Sequence, residues 1–432
     1  MPSAKPSGPV TVRMFNVGFG DCFLLTFPYK SEHGGNRHVL IDFGSFPGPK
    51  NAKKLKEHIA GKIKDLCQDE RLAVVATHRH ADHINGFGTN KKKTASGDII
   101  ASLKPEIVIQ PWTEHPKAAQ DAHRAPAFRA AALRFHNLLA AQQAFAQAFV
   151  QSARQLPRYF GEDLRKQLAY AGENAVKNKD AVDNLMTMGR EKPKYVRAGG
   201  KSGLESFLPG VRIHVLGPPT LEQDASIQKY ADESAEYWLF QRQLALAVGG
   251  VARKLATGKP FPRAGTVRLA GAPQHARWFI ERMRQARERD VRGIVTIMDK
   301  FLNNTSVILL FEVNGKKLLF PGDAQIENWA YALKKYDQLL QGVHVYKVGH
   351  HGSLNATPQK RLWPKLTDAA MGAVPATEFI TLLSTMEDVH GGEEGRPTEV
   401  PRETLVQELS AKSRFHTTHR GLNPGEFDQI QI

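Results

Sequence analysis

Thr77-His78-Arg79-His80-Ala81-Asp82-His83 sets three imidazoles and a carboxylate directly behind Leu72 to Thr77, an apolar, β-branched run that reads as a strand. Alternation along an extended chain turns His78 and His80 the same way, while Asp82 and His83 fall past the strand end, where the chain can curl back. One ion could take the first pair and a second ion the other. Histidine nitrogen and carboxylate oxygen suit zinc and manganese, and two such ions about 3.5–4 Å apart are a common device for hydrolysis. The competing reading is a solvated loop that happens to be rich in histidine. The Asp between the imidazoles, the strand ahead and the glycines of Asn85-Gly86-Phe87-Gly88 behind favour the metal.

Working outward, three more apolar runs end in ligand-type residues: Val39-Leu40-Ile41-Asp42-Phe43-Gly44, Lys317-Leu318-Leu319-Phe320-Pro321-Gly322-Asp323-Ala324 and His344-Val345-Tyr346-Lys347-Val348-Gly349-His350-His351-Gly352-Ser353. Taken in this order, the four stretches resemble the metallo-β-lactamase fold, with His78 to His83 matching its HxHxDH string. The resemblance implies an α/β protein, an αββα sandwich with metals at one edge of the sheets, and an Asp323 that bridges two ions. Phe15-Asn16-Val17-Gly18-Phe19-Gly20-Asp21-Cys22, Asn303-Asn304-Thr305-Ser306-Val307-Ile308-Leu309 and the Lys347 to Ser353 string narrow it. These look like the hydrolase domain of ComEC-type DNA-uptake proteins and their soluble relatives. Phe379 to Ser384, Pro401 to Leu409 and Thr417-Thr418-His419-Arg420-Gly421 echo that group's closing strand, helix and turn more faintly.

The resemblance implies a ligand set of His78, His80, Asp82, His83, Asp323 and His350 around two divalent ions, Zn²⁺ or Mn²⁺. Of the adjacent pair, His350 is the preferred ligand, and His351 is assigned to substrate contact or proton donation. Asp82 would also orient the attacking hydroxide, and Asn304 and Ser353 would stand near the scissile group, with Ser353 in a supporting place. Asp42 is expected to fix an imidazole tautomer and Asp21 to cap a turn at the same edge. One departure concerns the third histidine that the wider superfamily places on the first metal. His214, in Val211 to Pro218, lies mid-strand, so Asn303 or Asn304 is expected at the metal edge instead. An amide oxygen binds zinc more weakly than imidazole, which favours hydrated ions such as manganese, or one tight and one exchangeable metal.

Composition bounds the alternatives. A chain of 432 residues with 41% apolar content can bury a large core. Its two cysteines, Cys22 and Cys67, lie far apart, which points to a reducing compartment and away from a disulfide scaffold. Met1-Pro2-Ser3-Ala4-Lys5-Pro6 has no apolar leader pattern, and no run approaches the roughly 18 residues that span a bilayer, so the expectation is a cytoplasmic protein without a membrane partner. Lys plus Arg 59 against Asp plus Glu 43 gives +16, a field that attracts polyanions. Lys91, Lys92 and Lys93 follow the metal loop and are the expected grip on a nucleic-acid backbone; a second basic cluster runs from Arg282 to Arg289.

The expected layout is a first half of the fold over 9–110, with a helix from Asn51 to Leu66, and a helical insertion over 111–194. Core strands follow over 195–219, then a second mainly helical insertion over 220–292, and the second half of the fold over 293–432. Phe128, Phe135, Phe145 and Phe149 read as the packing face of the first insertion, and Tyr237 to Leu255 and Ala276 to Arg289 as helices of the second. Both insertions would flank the metal edge and could recruit partner proteins. The function expected from the whole is a metal-dependent phosphodiesterase, a nuclease. A hydrolase of a small phosphoester, cyclic nucleotide or lactone is the alternative, and a metal-stabilised interaction module, conceivably in a defence system, is the second.

Overall fold

The computed structural model describes residues 4–46, 52–68, 70–115, 178–220, 223–224, 303–353, 357–387 and 399–432. The chain divides into two units, and one of them, 1–121 with 177–224 and 302–432, contains all the elements below. The other, 122–176 with 225–301, lies outside the described residues, as do the expected insertion helices, their phenylalanines and the Arg282 to Arg289 cluster.

Strands β1 (Thr11–Phe15), β2 (Cys22–Phe27), β3 (Arg37–Phe43), β4 (Arg71–Val75), β5 (Val108–Pro111) and β6 (Lys194–Val196) come first, with helices α1 (Ala52–Cys67), α2 (Ala81–Ile84), α3 (Ser96–Ser102) and α4 (Lys179–Thr187) among them. Then follow β7 (Arg212–Gly217), β8 (Ile308–Val313), β9 (Lys316–Phe320), α5 (Ile326–Lys335), β10 (Val345–Lys347), α6 (Trp363–Thr367), β11 (Ile380–Leu383), α7 (Glu403–Lys412), β12 (Arg414–Thr417) and β13 (Phe427–Gln431). Among the described residues they build two mixed sheets, ordered β13-β1-β2-β3-β4-β5-β6 and β12-β11-β10-β9-β8-β7. Each sheet is antiparallel at one end, through β13-β1-β2-β3 and β7-β8-β9. Each is parallel at the other, through β3-β4-β5-β6 and β9-β10-β11-β12.

The central strands are apolar on both sides, and each side has its own core. Val39, Ile41 and Val75 of the first sheet pack with Leu309, Leu318 and Val345 of the second in one cluster. Phe23 meets Phe320 edge-on at 5.7 Å between ring centres, and Phe27 meets Phe311 at 6.0 Å, so aromatic rings lock the sheets face to face. On the outer face of the first sheet, Leu40, Leu72 and Val74 receive Ile59 and Ile63 of α1, Ile100 of α3 and Leu185 of α4. On the outer face of the second, Leu310, Leu319 and Tyr346 receive Trp329 of α5, Leu366 of α6 and Val406 and Leu409 of α7. The layers therefore run helices, sheet, sheet, helices.

Parallel pairing places the carboxyl ends of neighbouring strands at the same edge, where α/β proteins assemble their sites. Asp42 stands at that end of β3, His78 follows β4, Asp323 follows β9, His350 and His351 follow β10, and Ser384 follows β11. The expected 111–194 insertion ends inside the sheet-bearing unit: α4 packs on the first sheet and β6 pairs in parallel with β5. Among the described residues no helix is long and apolar enough to cross a membrane.

Candidate metal centre

Beyond β4 the chain turns through His78 and His80 into α2, which carries Asp82 and His83 inward. Gly44, just past β3, makes this possible, because a β-carbon there would collide with the backbone of Asp82 and His83. Asp42 takes a left-handed backbone (φ +56°), at a cost of about 1–3 kcal/mol for a residue with a β-carbon. Its carboxylate offsets that strain: Oδ1 accepts from Thr77 N at 2.7 Å, and Oδ2 accepts from Thr77 Oγ1 at 2.7 Å. Oδ2 also lies 2.8 Å from His83 Nδ1. With Nδ1 committed to Asp42, His83 turns Nε2 to Asp323 Oδ2 at 2.9 Å, which joins the two sheets at this edge.

His351 arrives by the same device. Two successive left-handed residues, His350 (φ +45°) and His351 (φ +52°), turn its ring inward. Its Nδ1–H donates to the Ser384 carbonyl at 3.0 Å, and Nε2 faces Asp82 Oδ2 at 3.2 Å and Asp323 Oδ2 at 3.6 Å. Asp82, His83, Asp323 and His351, all buried, thus bring one donor atom each within 4.8 Å of one another and could hold a metal ion. An N₂O₂ set of imidazoles and carboxylates, with each imidazole anchored through its other nitrogen, is chemistry that fits a divalent ion.

Charge makes the same point. Asp21, Asp42, Asp82 and Asp323 are 1–2% exposed, and among the described residues one lysine, Lys347, is buried with them. Burial alone would lower His83, yet Asp323, Asp42 and Asp21 push it well above the ordinary histidine value. His351 is raised in the same way, burial being outweighed by Asp323, Asp82 and Asp21. Burial opposes ionisation of Asp82 and Asp323, but hydrogen bonding by His351 holds Asp82 down, and the charges of His83 and Lys347 hold Asp323 down. Asp21 is pushed up, chiefly by burial, against the pull of Lys347. Asp82 and Asp323 are thus held ionised against burial by the basic groups that face them, His83, His351 and Lys347.

His78 and His80 stand beside this group. Their rings meet at 3.1 Å between Nε2 and Nδ1, and the His78 ring centre is 4.1 Å from that of His83. Burial, with the neighbouring imidazoles, lowers His78 well below its ordinary value; burial lowers His80 to about 4. Both are therefore neutral, with ring nitrogens able to act as ligands.

Two expectations need correcting in detail. The histidine of the adjacent pair that joins the carboxylates is His351; His350 is half-buried at the rim, where its Nε2 accepts from Asn303 Nδ2 at 3.2 Å and its Nδ1 lies 2.6 Å from Ser353 Oγ. The reason is the turn: consecutive left-handed residues send neighbouring rings to different sides. Asn304 faces away from the histidines. Its Nδ2 donates to Glu327 Oε2 at 2.6 Å and its Oδ1 accepts from Asn328 N at 3.3 Å, so it organises the start of α5. Asn303 is the amide beside the histidines, hydrogen-bonded to His80 as well as to His350.

Asp21 comes into the site beside His83 and Lys347, and Ser353 acts on His350. His214 lies on β7, 3.6 Å from Glu312, outside the site. Lys91, Lys92 and Lys93 are exposed on a turn between α2 and α3. Two participants were missed. Ser384 closes the Phe379 to Ser384 stretch and Lys347 opens the Lys347 to Ser353 string, but neither was given a role at the site, although a lysine inside an apolar run that leads into a ligand loop is itself a signal. Compared with known proteins, the chain matches no protein-family model and no curated protein.

Proposed function

We propose that this protein is a metal-dependent phosphodiesterase, a nuclease, built on a metallo-β-lactamase fold of the ComEC-like kind. The layering of helices, sheet, sheet and helices supports the fold reading, with every ligand-bearing loop at the carboxyl end of a strand. The observation that carries the function is the convergence of Asp82, His83, Asp323 and His351, drawn from three separate segments of the chain, on one small buried volume.

A divalent ion bound there supplies a Lewis acid and lowers the pKa of a water to near neutrality. The chain's own residues do the rest. Asp42 and the Ser384 carbonyl fix the tautomers of His83 and His351, so that both Nε2 atoms are presented inward. Asp82, kept ionised by His351, orients the attacking water. His78 and His80, uncharged, are the ligands offered to a second ion. His350, held at the rim by Asn303 and Ser353, takes over the role first assigned to its neighbour and contacts the scissile phosphate. The +16 charge and the exposed Lys91 to Lys93 turn favour a polyanionic substrate.

The test pairs metal content with cleavage of single- and double-stranded DNA and of RNA in Mn²⁺, Mg²⁺ and Zn²⁺. Wild-type protein should retain ions and cut. Asp82→Asn should lose both, with cleavage down at least about 100-fold, beyond what supporting partners of a metal site usually cost. Equal cleavage by the variant sinks the assignment, and hydrolysis of a generic bis(p-nitrophenyl) phosphate with nucleic acids left intact transfers it to a small phosphoester.

A further inference from the structure

Lys347, the last residue of β10, is 2% exposed, and the chemistry proposed above makes no use of it. A lysine at a strand end ordinarily extends its stem until the ammonium reaches water. This one stays inside: Nζ donates to the Gly322 carbonyl at 3.0 Å and to Asp323 Oδ1 at 3.1 Å, and pairs closely with Asp21 Oδ2. Asp323 Oδ1 also accepts from His350 N at 2.9 Å. Two donors therefore occupy Oδ1, and Oδ2 alone faces His83 and His351.

An ion that binds Asp323 meets a carboxylate already fixed in orientation. Before any ion binds, the buried carboxylates of Asp21 and Asp323 already face a full positive charge. Taking such charges out of water without a partner is among the costliest things a fold can do.

Resting on the metal reading above, we propose that Lys347 is a built-in counter-ion and positioning residue. It holds Asp323 in a one-oxygen presentation, and it stands in for part of the missing cation charge, so that the metal-free protein stays folded with its site assembled. A protein with this device uncouples folding from metal loading, in contrast to small metal-dependent domains that unfold when the ion is removed.

The experiment compares melting of metal-free and Mn²⁺- or Zn²⁺-saturated protein for wild type, Lys347→Met and the charge-balanced double variant Lys347→Met/Asp21→Asn. Methionine keeps most of the lysine stem's bulk and removes the charge. The metal-free Lys347→Met protein should melt roughly 5–10 °C below wild type. Saturating ions should raise its melting point more than they raise that of wild type, because the ion supplies the lost charge. Asp21→Asn in the same background should recover at least half of the metal-free loss, and should restore folded protein if the single variant does not accumulate. A metal-free loss that neither ions nor Asp21→Asn reverses is a packing effect and overturns the proposal, as does the absence of any loss. If ions leave even wild type unmoved, the metal reading itself falls and takes this one with it; a wild-type response with an indifferent Lys347→Met overturns this one alone.

Discussion

His38 and His83 are both buried imidazoles held at both ring nitrogens, and their surroundings drive them in opposite directions. His38, early in β3, sits between Thr26 Oγ1 at 3.0 Å and Glu70 Oε2 at 2.8 Å. Arg13 donates to the same Thr26 hydroxyl at 2.9 Å. Burial prevails there and lowers His38 in spite of Glu70. His83 sits between Asp42 and Asp323, with Asp21 at 3.6 Å, and is pushed far up. Strand β3 contributes to both places, His38 near its start and Asp42 near its end. The first cluster closes on itself, a hydroxyl, a carboxylate and a guanidinium leaving no charge to be neutralised. The second gathers buried carboxylates and imidazoles whose ligand atoms lie within 4.8 Å of one another, and that convergence is what distinguishes a candidate cation site from a well-satisfied polar core.

The sharpest way to break this comparison is to remove imidazoles one at a time from the charged cluster. His351→Ala should release the bound ion, with affinity down at least about 100-fold, because it deletes a donor whose partner nitrogen is already anchored. His350→Ala should keep the ion and lose turnover, since that ring faces Asn303 and Ser353 at the rim. Titration of the two apo proteins with Zn²⁺, followed by calorimetry, decides the order. Wild-type affinity in both variants would place both rings outside the coordination, and the reverse order would restore His350 as the ligand.

A smaller effect is expected one step out. Asp42→Asn keeps the left-handed backbone, which asparagine tolerates better than most residues, and it keeps an oxygen for Thr77. It replaces the carboxylate that faces His83 Nδ1 by a group that can equally well donate, so the inward-facing tautomer is no longer enforced. Ion affinity or cleavage should fall about 10–100-fold with the melting point of the metal-free protein little changed. An unaltered affinity would show that His83 is oriented by packing alone.

Much of this edge could be read from the sequence, because each ligand-bearing stretch follows an apolar run and strand ends advertise themselves by composition. Asp42, Asp323 and the His78 to His83 string were found that way. The helix expected from Asn51 to Leu66 is α1, its Ile59 and Ile63 four residues apart on the buried face. What could not be read was direction. Whether His350 or His351 turns inward depends on two left-handed residues in a row, and whether Asn303 or Asn304 meets the histidines depends on where α5 begins. Neither is a property of residue type. Lys347, though part of the Lys347 to Ser353 string, was given no role because pattern reading treats a lysine as a solvated side chain, and only the fold brings Asp21 and Asp323 to it.

The smallest effect tests the closed cluster. Because the folded protein keeps His38 neutral, its folded pKa lies below the value of about 6.5 that the unfolded chain has. As pH falls through that value, the unfolded chain takes up a proton that the folded protein refuses, so stability is lost from about pH 6.5 downward until the folded group titrates too. His38→Gln removes the titration while keeping a polar side chain between Thr26 and Glu70. At pH 7 the variant should be weaker by about 1 kcal/mol, the worth of an imperfectly replaced buried hydrogen bond. Between pH 7 and pH 5 its urea-unfolding free energy should then fall less steeply than that of wild type, both measured with the same saturating ion so that the metal edge contributes equally. Parallel slopes would mean that the fold leaves His38 unshifted, and a steeper fall in the variant that Glu70 holds His38 protonated; in either case the two histidines would no longer be opposites.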